Sequence, residues 1–139
     1  MSDNEKQTLF ERIGESELHL LIERFYTHVQ KHPDISDLFP EDMSETIRKQ
    51  KQFLTQFSGG PDDYTMEHGH PMLRMRHMPF HIGEKEADAW LSCMHEALLE
   101  SAIDIGTQQE LYARLSHTAK HMINHQSDDR QEFKRGAST

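Results

Sequence analysis

Wherever apolar residues recur with a period in this chain, the period is that of an α-helix, and proline or Gly-Gly-Pro breaks cut the pattern into short pieces. From Ser16, an expected N-cap, Leu18, Leu21, Ile22, Phe25, Tyr26 and Val29 fall on one helical face, and Pro33 closes the run. A second helix is expected from about Ser44, carrying Ile47, Phe53, Leu54 and Phe57 inward until Gly59-Gly60-Pro61 stops it. A third is expected from about Glu84 to Ile105, with Ala87, Trp90, Leu91, Met94, Ala97 and Leu98 inward. Thr107-Gln108-Gln109-Glu110 fits a capping box, so a fourth helix should open there, with Leu111, Leu115, Met122 and Ile123 as its stripe. The stretch from Asp62 to Pro71 reads as a long polar loop. No strand signal, internal repeat or low-complexity segment competes, so the fold class is all-α.

The apolar share is 35% in 139 residues, enough for one domain but with thin apolar faces. Such a core is easier to complete with a group that is not protein. A net charge of −9 argues against nucleic-acid partners and against anionic membrane surfaces. The single cysteine, Cys93, excludes an internal disulfide and a thiolate metal cluster, and reads as a packing residue in a reducing compartment. The start, Met1 to Lys6, lacks the features of a secretory leader, and no apolar run approaches a membrane span. These features lead to the expectation of a soluble, cytoplasmic protein.

Two features depart from an ordinary helical core. The first is the stretch Gly69-His70-Pro71-Met72-Leu73-Arg74-Met75-Arg76-His77-Met78-Pro79-Phe80, a rigid way to aim an imidazole at a metal. Spacing alone leaves His70, His77 and His81 all open as ligands. The second is a set of polar groups on inward faces: Tyr26, Thr46, Gln50 and Trp90. Buried donors cost a few kcal/mol unless bonded, about 1–3 in protein mutational data, so several converging on one core point to a pocket. His117, His121 and His125 share a face of the last helix and could hold a divalent cation. No carboxylate sits between them, and a solvated stripe is the simpler reading.

As a set, Phe25-Tyr26, Leu38-Phe39-Pro40, Phe53-Leu54, Gly59-Gly60-Pro61, Tyr64, the Gly69-to-Phe80 segment and Trp90, thirteen residues after His77, resemble the truncated globins, specifically their second group. The resemblance implies a two-over-two helical sandwich around haem b in residues 1–125; the stretch 126–139 has almost no apolar content and is expected to be a polar tail lacking stable structure. The resemblance also implies His77 as the ligand to haem iron. Tyr26, Thr46, Gln50 and Trp90 fall on the distal side, Phe25, Phe39, Phe53 and Leu54 in the haem pocket, and Arg76 and Tyr64 near the propionates. The implied activity is reversible binding of oxygen, NO or CO by a monomer or weak dimer. Two other readings remain open: a nitric oxide dioxygenase or peroxidase served by an external reductase, and a non-haem globin-like sensor.

Overall fold

The computed structural model describes residues 7–124; His125 and the expected tail, 126–139, lie outside the described residues. Within them the chain forms seven α-helices and no strand. They are α1 (Leu9–Ile13), α2 (Glu15–Lys31), α3 (Ser44–Phe57), α4 (Asp63–His68), α5 (Leu73–His77), α6 (Glu84–Leu99) and α7 (Ile105–His121). A turn of 3-10 helix, Ser36–Leu38, lies between α2 and α3. None is long and apolar enough to cross a membrane.

The core is built on α2, whose Leu18, Leu21, Ile22, Phe25 and Val29 are fully buried. Their spacing puts them on one stripe, which packs on α3 through Leu54 and on α6 through Ala89, Cys93, Met94 and Ala97. Helix α6 also packs on α7, whose Leu111 and Leu115 close the far side. Two helix pairs thus face each other, α2 with α3 and α6 with α7.

Four boundaries differ from the sequence expectation, each for a local reason. The chain turns helical before Ser16: Thr8 and Glu11 form a capping box that starts the short α1, and Gly14, at φ +88°, lets α2 follow at once. Helix α6 ends at Leu99, not near Ile105, because the Ser101 hydroxyl donates to the Leu98 carbonyl at 2.7 Å. Asp104 then caps α7, accepting from the Thr107 N–H at 3.0 Å, so α7 opens two residues before Thr107. Glu110, freed from a capping role, pairs with Arg12 on α1 at 2.8 Å. Finally, the loop before Pro71 holds α4, pinned to α3 by two hydrogen bonds between Gln56 and Thr65.

The Gly59-Gly60-Pro61 break does more than end α3. Gly59 has φ +97°, and a Cβ there would lie 2.7 Å from Cβ of Thr8; one on Gly60 would lie 2.8 Å from the Phe10 ring. These two glycines let α1 lie against the end of α3, where the Phe10 N–H donates to the Ser58 carbonyl at 2.8 Å.

Candidate functional site

Between the two helix pairs lies a cavity of about 330 Å³, within the usual size range for small-molecule and cofactor sites. Its walls are mostly apolar: Ile35, Leu38 and Phe39 from the connection after α2, Phe53 from α3, Leu73 and Ile82 around α5, Leu115 and Ala119 from α7, and Met122 just past its end. Into it face Tyr26, Thr46, Gln50 and Trp90 from three helices, and His77 from the end of α5. The four inward polar residues and the histidine therefore share one space. His70 and His81 are exposed and do not line it.

His77 arrives there on a helix of five residues, too short to stand alone. Pro71 and a left-handed Met72, at φ +41°, bend the chain into α5. The His77 Nδ1–H donates to the Leu73 carbonyl at 2.7 Å. A carbonyl can only accept, so that bond holds the proton on Nδ1 and leaves Nε2 as a lone pair, the arrangement of a metal-ligating imidazole. Among the described residues no cluster of three or more His, Cys, Asp or Glu could hold a metal ion. A bare ion would find one nitrogen here; a planar macrocycle that brings its own four nitrogens would find the axial ligand it needs, between apolar walls.

The polar residues carry a second signature of a guest. Tyr26 is 3% exposed, yet its hydroxyl makes no hydrogen bond among the described residues, and neither do Thr46, Gln50 or the Trp90 indole. Burial pushes the Tyr26 phenol well above its ordinary range, so it stays protonated and can donate. Its ring is fixed by edge contacts to Phe25 at 4.8 Å and Phe39 at 5.7 Å. Phe25 also meets Trp90 at 4.8 Å. Phe25 and Leu54 themselves are fully buried in the core behind the cavity rather than on its lining. An unpartnered hydroxyl facing the cavity, a tautomer-locked imidazole and apolar walls together fit haem.

Arg76 and Tyr64 sit beside the cavity, not on its lining. The Arg76 guanidinium donates to the carbonyls of His68 and His70, each at 2.9 Å, and to the Tyr64 hydroxyl at 3.2 Å, while lying over the Tyr64 ring. Tyr64 in turn packs edge-on against Phe53. Two further residues escaped the sequence reading. Glu86 lines the cavity one turn before Trp90, and its carboxylate accepts from the Gly83 N–H at 2.8 Å; the four-residue spacing from Trp90 could have revealed it. Asn124, three residues past the end of α7, donates to the His77 carbonyl, and no sequence signal points to it. At the surface, the His117 and His121 rings meet at 4.4 Å.

Residues 8–124 match the family model of the bacterial-like globins. The chain belongs to that family. More narrowly, this globin is a group II truncated haemoglobin. It is 51% identical over 122 residues to the group 2 truncated haemoglobin YjbI of Bacillus subtilis, spanning 87% of this chain and 92% of that one. The crystal structure of the group II truncated haemoglobin of Bacillus anthracis superposes with a TM-score of 0.86 at 51% identity, covering 88% and 95% of the two chains. That of the truncated oxygen-avid haemoglobin of Bacillus subtilis gives 0.82 at 51% identity, covering 85% and 100%. Haem-based binding of small ligands is the activity that goes with the family.

Proposed function

We propose that this globin holds haem b on His77 and binds oxygen, and secondarily nitric oxide and carbon monoxide, reversibly and with slow release. Haem, when bound, would supply an iron able to take a diatomic ligand, and His77 would be the residue that holds it. Everything else is the work of the chain. The Leu73 carbonyl holds the proton on His77 Nδ1 and so keeps the Nε2 lone pair available. Tyr26, Gln50 and Trp90 offer hydrogen-bond donors to a polar guest, with Thr46 one turn from Gln50. Phe39 and Phe53 keep water away from the macrocycle, with Phe25 and Leu54 packed behind them. Arg76 is suited to a propionate, because a carboxylate is a stronger acceptor than the backbone carbonyls it now holds. Tyr64 would steer that guanidinium.

The observation that carries the proposal is the unpartnered Tyr26 hydroxyl in the cavity that His77 also lines. A relative of 51% identity is described as oxygen-avid, which supports retention over rapid exchange. The proposal extends to a cytoplasmic monomer or weak dimer, and the lone buried thiol of Cys93 suits a reducing compartment. The test is spectroscopic. Protein supplied with hemin and reduced should show an intense porphyrin band that shifts on adding carbon monoxide. His77→Ala should lose the native axial signature. A wild-type protein that stays colourless, or an alanine variant with unchanged axial coordination, refutes the assignment. Sustained consumption of nitric oxide or peroxide with an external reductase would move the reading to an enzyme.

A further inference from the structure

The histidine on α5 is held from in front by the apolar cavity and internally by its own turn, but a single turn of helix cannot fix its own direction. Its C-terminal carbonyls also need partners. The His77 carbonyl accepts from the Phe80 N–H at 3.0 Å within the segment itself, and further support comes from 47 residues away in the sequence. The Asn124 side-chain amide donates to the His77 carbonyl at 3.2 Å and to the Phe80 carbonyl at 2.8 Å. Its oxygen accepts from the Ile82 N–H at 3.0 Å, and its own backbone N–H donates to the Ile82 carbonyl at 2.8 Å. One asparagine therefore spans the segment from His77 to Ile82 and ties it to the chain three residues past the end of α7. Three of the residues it touches, His77, Phe80 and Ile82, line the cavity.

We infer that Asn124 is a positioning residue for the haem ligand: it straps the His77–Ile82 segment to the chain just past the C-terminus of α7 and so sets the direction in which the His77 imidazole meets the iron. This rests on the haem reading above. The amide is the suitable group, because the site demands two donors to carbonyls and one acceptor for an N–H at once. Alanine offers neither. Aspartate keeps the acceptor for Ile82 but turns both donors into a carboxylate facing two carbonyl oxygens, so it isolates the bonds that hold His77 and Phe80.

The test uses the full-length protein reconstituted with hemin. Asn124→Ala and Asn124→Asp should each release hemin to an apomyoglobin trap about tenfold faster than the wild type. Both should shift or broaden the iron–imidazole stretching band of the ferrous protein. Amide exchange of the metal-free variants should speed up in residues 73–82 while the α2 core stays protected, which separates a loosened strap from a protein that fails to fold. Hemin release and the stretching band unchanged in both variants would overturn the inference while leaving the haem assignment standing. A wild type that takes up no hemin would remove both. A change in the stretching band for Asn124→Ala alone, with Asn124→Asp like the wild type, would assign the effect to the Ile82 bond and overturn the role given to the two carbonyl contacts.

Discussion

Replacing Tyr26 by phenylalanine should move two measurements in opposite directions. The ring stays, and with it the contacts to Phe25 and Phe39; the hydroxyl goes. In the protein without haem Tyr26 as a residue is 3% exposed and its hydroxyl makes no hydrogen bond to protein among the described residues; a fully buried unsatisfied hydroxyl would cost about 1–3 kcal/mol. A cavity of about 330 Å³ can admit water that offsets part of this, so the lower end applies. Tyr26→Phe should therefore stabilise the apoprotein by ~1 kcal/mol, or roughly 3–5 °C in Tm for a domain of this size. On the proposed reading, the same hydroxyl in the haem-loaded protein would donate to a bound polar diatomic ligand. Losing a net ~0.5–1.5 kcal/mol should speed oxygen release by about two- to tenfold. Thermal melts of apoprotein and stopped-flow displacement of oxygen read the two effects. An apoprotein made less stable by the change would mean that the hydroxyl is satisfied in the free protein. Oxygen release at the wild-type rate would mean that it never meets the ligand. The raised phenol pKa adds a sign: the folded state resists losing this proton, so its stabilising share is complete below the ordinary tyrosine value near pH 10 and declines as pH rises beyond it. Tyr26→Phe should flatten that alkaline decline.

Asp104→Ala removes the cap of α7 and should cost ~1 kcal/mol, a fall of a few degrees in Tm, with little change in carbon monoxide binding because Asp104 is outside the cavity lining. Gly59→Ala combines a positive φ with a Cβ 2.7 Å from Thr8, so denaturant unfolding should show a loss of about 2–4 kcal/mol; a loss below 1 would mean that α1 moves aside freely. Cys93 is buried, and its thiol is pushed up to about 11, chiefly by desolvation and also by Glu96. It should therefore ignore a thiol reagent at pH 8 until the protein is unfolded, and rapid labelling of the native protein would contradict its packing role.

How much of this was readable beforehand depends on distance along the chain. The helical stripe on α2, the stop at Gly59-Gly60-Pro61 and the start of α3 at Ser44 are local patterns, and they stand where the residues point. The boundaries that moved were decided by single side-chain bonds that compete with an equally plausible neighbour. Thr107 and Glu110 satisfy a capping pattern on paper, but Asp104 reaches the Thr107 N–H first, and Glu110 is drawn to Arg12 on another helix. Helix α4 was hidden in a polar stretch because its stability comes from Tyr64 packing on Phe53 and from Gln56, not from its own propensity.

Periodicity and punctuation alone determined that the chain is helical, which faces turn inward, and that Tyr26, Thr46, Gln50 and Trp90 lie on those faces. Family resemblance singled out His77. That these five residues line one cavity was settled only in three dimensions. So was the packing of Phe25 and Leu54 behind it, the engagement of Arg76 by loop carbonyls, and the hold of Asn124 on the segment that carries the histidine. The reason is the range of the forces. A helix records in its sequence which side is apolar, because that preference acts within one or two turns. Which residues meet across helices depends on how closely those sides can pack, and closely packed interiors are solved jointly by the whole chain.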